Sequence, residues 1–316
     1  MVRLSVLIAA FDAQDHIAEA LQSVFAQGMD GIEAIVVDDG SRDATARIVE
    51  ELAAAAPKGV RVRLVRKDSN EGLAAARNTA LSEARGDRIV FLDADDVLAP
   101  DCLAVLSQQL DASPTARLVV PRYRWICEDG SDFGHASPVP VGDIGVETIL
   151  LGTPIHSDSG VMTTREALAA IGSFDTRLTG YIGADMWLRF AIRHGPGAIV
   201  FAPGAEVKYR RHDRQITADW QRMDRNWTAV LAKLDSQHRE AIAPVRAKAV
   251  ARHKLFCSAL AYKQGDYRAS RRVLAAALRA EPLMLARNPA ARTRLLACGA
   301  SLLPERLHAR MRAMFG

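Results

Sequence analysis

Three carboxylates stand within four consecutive positions of the chain, at Asp93, Asp95 and Asp96. They follow the apolar run 89–92, which has the length and branching of a strand buried on both faces. Carboxylates this close repel one another and are costly to bury unpaired, so we expect a positive partner. Hard divalent cations are the usual partners of clustered oxygen ligands. The alternative is a solvated acidic turn, in which Asp96 or Asp101 caps the helix that follows.

Two further functional groups follow predicted strands in the first hundred residues. Strand and helix patterns alternate there, which predicts a parallel sheet covered on both faces. The predicted strands are 4–8, 32–37, 60–65 and 88–92. Phe11 follows the first of these strands and Asp39 follows the second. Ligands of open sheets bind beyond the carboxyl ends of the strands, so we expect Phe11, Asp39 and the carboxylate cluster to converge.

The remainder of the chain is predicted to be less regular at first and helical afterwards. Short strands are predicted at 118–120, 160–163 and 198–201. Past residue 215 the composition becomes alanine-rich and helical. We therefore predict a catalytic-type domain with two halves and a basic helical region, with the bounds 1–215 (halves 1–98 and 99–215) and 216–316.

The bulk composition is typical of a soluble globular protein, with 49% hydrophobic and 25% charged residues over 316 positions. The four cysteines are scattered and form no Cys-x-x-Cys pair. This spacing argues against a zinc knuckle or a disulfide framework and suits a reducing compartment. No window approaches the ~18 apolar residues that a membrane span needs. We expect a cytoplasmic protein.

The net charge of +4 hides an asymmetry along the chain. From Arg246 to the end there are 15 Lys and Arg against 3 Asp and Glu, a net charge of +12, so the remainder carries −8. A basic region of this kind can attract an anionic membrane surface, an acidic domain or a second subunit of a homodimer. Nucleic-acid binding would rest on this charge alone, and we do not predict it.

Four sequence stretches carry a resemblance to a known family. They are SVLIAAFD at 5–12, IVVDDGSRDAT at 35–45, NEGLAAARN at 70–78 and FLDADD at 91–96. In this order and spacing they resemble family 2 glycosyltransferases of the bacterial polysaccharide-assembly type, over about residues 3 to 215. The resemblance implies an α/β architecture: a GT-A-like nucleotide-binding fold with a mixed, mostly parallel central sheet, followed here by an α-helical C-terminal extension.

The resemblance also implies roles for residues at the donor end. Asp39 matches the family's uracil-binding aspartate, and its alternative role is an Asx turn that caps the next helix. Phe11 matches an aromatic that stacks near the base, and its alternative is a plain core aromatic. Ala9 belongs to the same nucleotide-sugar site, although the family has proline there. Arg77 matches a basic residue near the nucleotide, whose fork suits phosphate or the pyrimidine edge; the alternative is a solvated helix charge.

The stretch Asp93-Ala94-Asp95 resembles the DXD motif of the family. The resemblance implies that Asp95 coordinates a divalent metal, Mn²⁺ or Mg²⁺, which bridges the two donor phosphates. Asp93 and Ala94 then lie against the ribose or the donor sugar. Asp96 is expected to cap the following helix.

The stretch 209–212, with sequence YRRH, resembles a Tyr-Arg-x-His stretch that closes the domain in many relatives. The resemblance implies that His212 completes the metal or diphosphate site, with Arg210 and Arg211 assisting the phosphates. The alternative for His212 is an ordinary surface histidine.

The acceptor half departs from the family pattern. In relatives, Glu-Asp opens a helix about six residues before a Leu-Arg pair. Here Asp185 is the only carboxylate at that helix start, three residues before Leu188, and the Glu is absent. We predict Asp185 as the catalytic base, with Asp158 and Asp175 as substitutes. The alternative for Asp185 is a carboxylate that interacts with the helix dipole.

The resemblance implies a metal-dependent, inverting glycosyltransferase. It would move a sugar from a nucleotide-sugar donor, with a UDP-sugar favoured by Asp39, to a hydroxyl of a glycan or lipid-linked acceptor. The basic region would bring it to the inner face of a membrane as a peripheral protein. One alternative is a relative that binds a nucleotide-sugar without turnover. Another is a nucleotidyltransferase, although no Gly-rich basic loop follows the first strand. A dinucleotide-dependent dehydrogenase is poorly supported, because no GxGxxG follows Ile8.

Overall fold

The computed structural model describes residues 3–152, 154–211 and 219–302. The chain divides into two compact units, Met1–Asp213 and Arg214–Gly316. Among the described residues, no helix combines the length and the apolar character that crossing a bilayer requires.

The first unit alternates strands and helices over its N-terminal half and is less regular afterwards. Its strands are β1 Leu4–Ala10, β2 Ile32–Asp38, β3 Val60–Arg66, β4 Arg88–Asp93, β5 Val97–Leu98, β6 Leu118–Ile126, β7 Asp132–Ala136, β8 Met162–Thr164 and β9 Ile199–Arg210. Its helices are α1 Ile17–Phe25, α2 Thr45–Ala54, α3 Leu73–Glu83, α4 Cys102–Ala112, α5 Val146–Gly152, α6 Arg165–Ala169 and α7 Ile182–His194.

All nine strands belong to one sheet, in the order β3-β2-β1-β4-β8-β6-β9-β5, with β7 paired to β6. Strands β3, β2, β1 and β4 are mutually parallel, whereas β8 runs antiparallel to both β4 and β6. Four of the eight pairings between the described strands are parallel. The sheet is therefore mixed, as predicted, but parallel pairings make up half rather than most of those described, and three of the four lie in the N-terminal half.

The register of the parallel strands aligns their carboxyl ends. Ala10 pairs with Asp38, and Ala9 pairs with Asp93. Strands β2 and β4 are buried almost throughout, because helices cover both faces of a parallel sheet. The polar residues that follow each strand are consequently brought to one edge of the sheet.

The second unit is helical in all of its described residues that have regular structure. Its helices are α8 Trp220–Gln237, α9 Arg239–Ile242, α10 Arg246–Lys263, α11 Tyr267–Ala280, α12 Met284–Arg287 and α13 Pro289–Ala300. Between α10 and α11 the chain turns at Gly265, with φ of +81°, and Asp266 caps α11 by accepting a bond from Ala269 N. The predicted helical extension is confirmed.

Candidate active site

The carboxyl edge of the parallel strands carries the residues that the sequence singles out. The backbone N–H of Asp39 donates to Ala10 O at 2.8 Å, so the residues after β1 and β2 are held together. Phe11 is 47% exposed, which excludes the alternative of a core aromatic. The sheet thus places Ala9, Phe11, Asp39 and Asp93 along one edge.

The carboxylate of Asp39 is buried and holds the loop that begins α3. It accepts the backbone N–H of Glu71 at 3.2 Å and of Gly72 at 2.7 Å, and Lys67 Nζ lies 3.2 Å away. The Asx-type contact belongs to its neighbour instead, because Asp38 Oδ1 accepts Ser41 N at 2.9 Å. Asp39 therefore faces the loop 71–72 at the sheet edge rather than the start of α2.

Arg77 is a buried cation on α3 and joins two carboxylates. Its Nη2 donates to Asp93 Oδ1 at 2.5 Å, and its Nη1 donates to Asp158 Oδ2. The guanidinium carbon lies 5.5 Å from the ring centroid of Phe174 and 6.0 Å from that of Phe91. Burial alone would lower the pKa of Arg77, but the two carboxylates outweigh it and raise that pKa. The alternative of a solvated helix charge is wrong, since only 3% of the side chain is exposed.

The three clustered carboxylates differ in their environments. Asp93 and Asp95 are partly exposed, whereas Asp96 is fully buried. Asp96 accepts Ser159 Oγ at 2.6 Å and Arg210 N at 2.9 Å. Burial, together with the charges of Asp95 and Asp93, raises the pKa of Asp96 well above its usual range. The prediction that Asp96 caps the next helix is wrong, because its side chain joins β9 to the loop at Ser159. Asp101 occupies that N-cap position and makes no side-chain capping bond.

Arg210 has a structural role, whereas the sequence suggested that it contacts the donor phosphates. Only 1% of it is exposed, and its guanidinium donates to Asp95 O at 2.9 Å and to Glu128 O at 2.7 Å. It also forms an ion pair with Glu19. The expectation that Arg210 assists the phosphates is therefore wrong. Its neighbour Arg211 is exposed, and His212 lies outside the described residues.

The loop 157–160 lies against the end of β4. Asp93 N donates to Ser159 Oγ at 2.9 Å, Ser157 Oγ lies 3.4 Å from Asp93 Oδ2, and Gly160 N donates to Phe91 O at 2.7 Å. These contacts place Asp158 beside the cluster, with 12% of its side chain exposed. Sequence reasoning named Asp158 only as a substitute base and missed the two serines. No local pattern marks them, because their partners lie more than sixty residues away.

Asp185 is fully buried in the first turns of α7. Its Oδ2 accepts from Arg189, with Nη2 at 2.9 Å, and the same guanidinium donates to Ile171 O and to Ser173 O. Asp185 and Arg189 therefore fix α7 to the segment that precedes it. In this conformation the Asp185 carboxylate is not exposed to an incoming hydroxyl. Asp175, the other substitute base, forms an ion pair with the exposed Arg177.

The donor set at the cluster suits a hard divalent cation. Asp93 and Asp95 offer carboxylate oxygens at the sheet edge, and Mg²⁺ and Mn²⁺ prefer oxygen ligands. Asp96 is committed to Ser159 and Arg210 and is less suited to this role. The residues present therefore fit a metal held by Asp95 with Asp93 beside it.

A parallel four-stranded half, a mixed second half and carboxylates beyond β4 define the GT-A class of fold. The family model described as glycosyl transferase family 2 matches residues 5–172. The chain belongs to this family.

Relatives and solved structures agree with this assignment. The chain is 38% identical over 124 residues to the succinoglycan biosynthesis protein ExoO of Rhizobium meliloti. The matched region covers 39% of this chain and 34% of ExoO. The chain is 26% identical over 187 residues to an uncharacterized glycosyltransferase of Haemophilus influenzae, covering 59% of the chain and 61% of that protein. The matches thus span from about a third to three fifths of these two proteins.

Two solved structures share the fold. The mannosyltransferase PcManGT from Pyrobaculum calidifontis, in complex with GDP-Man and Mn²⁺, has a TM-score of 0.64 and 25% identity, covering 99% of this chain and 84% of that one. Residues 1–349 of TarS from S. aureus, in complex with UDP-GlcNAc, have a TM-score of 0.55 and 17% identity, covering 82% and 84%.

Proposed function

We propose that this chain transfers a sugar from a nucleotide-sugar to a hydroxyl of a glycan or lipid-linked acceptor during polysaccharide assembly. The observation that carries the proposal is the convergence of Phe11, Asp39, Arg77 and Asp93 at the carboxyl edge of the parallel strands. In sheets of this type, that edge is where ligands bind. The family and the name of the relative ExoO support the class of reaction and the polysaccharide context.

The donor site divides into a base end and a phosphate end. The exposed ring of Phe11 offers a stacking surface for a base, and Asp39 lies beside it as an acceptor for a pyrimidine N–H. Asp39 favours a UDP-sugar. Because one structural neighbour holds UDP-GlcNAc and another holds GDP-Man, both classes of donor belong in the test.

A divalent metal, Mn²⁺ or Mg²⁺, would be held by Asp95 with Asp93 beside it. When bound, it neutralises negative charge on the departing nucleoside diphosphate, which is the main electrostatic task of the reaction. The PcManGT complex with Mn²⁺ supports this assignment. His212, predicted to complete this site, stays a prediction.

The protein's own side chains position the site and accept the proton of the acceptor hydroxyl. Arg77 fixes Asp93 and Asp158 in place, and the aromatic rings of Phe91 and Phe174 pack against its guanidinium. The acceptor hydroxyl then loses its proton to a carboxylate of the acceptor half and attacks the anomeric carbon. A single displacement of this kind inverts the configuration. Asp185 stays a prediction for the base, although its burial against Arg189 weighs against it.

A thermal-shift screen of UDP- and GDP-sugars, with and without Mn²⁺, tests the donor site. A donor at 100 times its Kd stabilises the fold by about 2.7 kcal/mol. We expect one donor to raise the Tm only when Mn²⁺ is present, and Asp95→Ala to abolish that increase. Asp111→Ala is the matched control, because it removes an exposed carboxylate that pairs with Arg88. An unchanged metal-dependent shift in Asp95→Ala would contradict the role given to the cluster.

A binding relative without turnover is the second candidate function. The burial of Asp185 and the missing Glu of the helix start favour it. Release of free nucleotide from a donor that raises the Tm distinguishes the two functions. Wild-type protein that binds a donor and releases no nucleotide, with either water or a simple glycoside present, is such a binding relative.

The helical unit offers a surface for an anionic membrane. Leu295, Leu296 and Leu302 are 42%, 59% and 71% exposed, and the exposed Arg292 lies one turn before Leu296 on α13. Apolar side chains beside arginines fit the interface of an anionic bilayer. We expect the full chain to sediment with phosphatidylcholine vesicles only when they contain phosphatidylglycerol, and Leu295→Ser with Leu296→Ser to abolish this. If vesicles do not bind and the same double variant converts a dimer to a monomer, the surface is a contact between two copies.

A further inference from the structure

The start of helix α7 lacks the Glu-Asp pair that the family resemblance predicts there. Counting back six residues from the Leu188-Arg189 pair places the family's Glu-Asp at Ile182 and Gly183. Asp185 lies one position beyond Ala184 and is buried against Arg189. The sequence therefore has no carboxylate at the expected place of the base.

A carboxylate from another part of the chain fills the space at Gly183. A Cβ atom added to Gly183 would lie 2.0 Å from Asp158 Oδ1, 2.5 Å from Oδ2 and 2.6 Å from Cγ. Such distances are far below van der Waals contact, so any side chain at 183 would displace the Asp158 carboxylate. Position 183 therefore accommodates the Asp158 carboxylate because glycine has no side chain.

Two donors fix the orientation of the Asp158 carboxylate. Trp187 Nε1 donates to Oδ1 at 2.7 Å, and Arg77 Nη1 donates to Oδ2. The rings of Trp187 and Phe91 pack edge to face, with centroids 5.9 Å apart, and this contact helps to fix the position of the indole. Each carboxylate oxygen has a second lone pair that an acceptor hydroxyl can use.

Asp158 also lies next to the donor end of the site. Arg77 bonds Asp158 and Asp93 with the two nitrogens of one guanidinium, so the two carboxylates are separated only by that group. Ser157 and Ser159, on either side of Asp158, contact Asp93. Asp158 is thus a partly exposed carboxylate joined through one guanidinium to Asp93, the residue that the family resemblance places against the donor sugar.

We infer that Asp158 is the catalytic base of the acceptor half, an assignment that rests on the proposed transferase function. The O–H bond of the acceptor breaks and its proton passes to a carboxylate oxygen of Asp158. The acceptor oxygen forms a bond to the anomeric carbon, and the bond from that carbon to the diphosphate oxygen breaks, with its electron pair leaving on the diphosphate. Asp185 then serves to hold α7 in place through Arg189.

Donor hydrolysis in the full chain tests this inference with water as the acceptor. The probes are UDP-GlcNAc and GDP-mannose with Mn²⁺, and the readout is the single-turnover release of free nucleotide beside the donor Kd. General bases contribute about 100-fold or more, so Asp158→Asn should lower the rate constant by at least about tenfold and leave the donor Kd within about threefold. Asp111→Asn, an exposed carboxylate in an ion pair, is the matched control and should leave both unchanged.

Moving the carboxylate from position 158 to position 183 distinguishes a catalytic base at Asp158 from a residue that only positions Arg77. Asp158→Ala removes the three atoms nearest to position 183, and Gly183→Asp in that background returns a carboxylate to the helix. We expect this double variant to regain at least about tenfold over Asp158→Ala.

Several outcomes would overturn the inference. One is an Asp158→Asn variant that loses less than about tenfold in rate, and another is a loss of donor affinity as large as the loss of rate. Activity kept in Asp158→Asn but lost in a folded Asp185→Asn returns the role to Asp185. A wild-type protein that binds donor without releasing nucleotide contradicts the proposed function itself. A negative result confined to the Asp158 variants contradicts only the assignment of the base.

Discussion

Replacing Arg77 by methionine should destabilise the first unit far more than a comparable change at the surface. Methionine keeps most of the apolar stem and removes only the charged fork. In the wild type that fork pairs with Asp93 and Asp158, and 3%, 28% and 12% of the three side chains are exposed. The variant therefore leaves two partly buried carboxylates without their cation.

The magnitude follows from the burial of these charges and from the interactions that methionine cannot make. Breaking a buried ion pair by removing one partner costs about 3–5 kcal/mol, and the cation–π interactions with Phe91 and Phe174 add about 0.5–1 kcal/mol. The 28% exposure of Asp93 lets water replace part of the missing interaction, which places the expected loss of unfolding free energy near the lower limit, at about 3 kcal/mol. Arg88→Met is the control. Its partner Asp111 is 65% exposed, so the expected loss is at most about 1 kcal/mol.

Urea unfolding measures this difference if the signal comes from the first unit alone. The chain has four tryptophans, and Trp220 and Trp227 belong to the helical unit. A background with both changed to Phe leaves Trp125 and Trp187 as fluorescent probes of the first unit. A loss of unfolding free energy in Arg77→Met within about 1 kcal/mol of that in Arg88→Met would refute the reasoning, because the buried pairs would then contribute no more than an exposed one.

Four further substitutions give distinct outcomes. Asp39→Ala should lower the unfolding free energy of the first unit by about 1–3 kcal/mol, because two backbone N–H groups lose their acceptor, and isothermal titration should show weaker donor binding. Gly86→Ala should cost about 1–3 kcal/mol in the same urea assay, because the added Cβ would lie 2.7 Å from Ser5 N. Gly299→Ala in α13 has open space and should stabilise the helical unit by about 0.5–1 kcal/mol, measured by urea unfolding followed by circular dichroism. Burial alone would raise the pKa of Asp224, but His253 and Lys254 outweigh this effect and lower the pKa in the folded protein. The ionised Asp224 carboxylate therefore stabilises the fold above about pH 4, which is the pKa of an unfolded aspartate. This stabilisation is lost as the pH falls through the lower pKa of the folded state. Unfolding free energies of the wild type and Asp224→Asn should converge as the pH falls below about 4, and a difference that stays constant with pH would contradict this.

The parallel half of the sheet could be predicted from the sequence because its signals are local. Each buried strand is a short apolar run between helical patterns, and the residues after β1, β2 and β4 necessarily reach one edge. The later strands were harder to predict. The prediction placed a strand at 198–201, whereas β9 extends over twelve residues to Arg210, and β7 was not predicted. Their pairing is set by contacts with distant strands, which no local periodicity encodes.

The interior of the site could be predicted only in part, for the same reason. Asp93 and Asp95 stand out by their crowding, but the partner of Asp96 is the backbone of Arg210, 114 residues away. The partner of Arg77 on the acceptor side is Asp158, 81 residues away. A carboxylate pattern in sequence shows that charges are crowded. It does not show which of them the fold has already used.

The contacts of the cluster resolve why three carboxylates in four positions can coexist after β4. Asp96 turns into the protein and binds Ser159 and the backbone of Arg210, with a raised pKa that follows first from burial and then from its two acidic neighbours. The carboxylate of Asp93 forms an ion pair with the guanidinium of Arg77. Asp95 lies at the partly exposed side of the turn. Under the proposed function, Asp95 would hold a divalent metal at that side with Asp93 beside it, while the buried contacts of Asp96 hold the end of β4 in place.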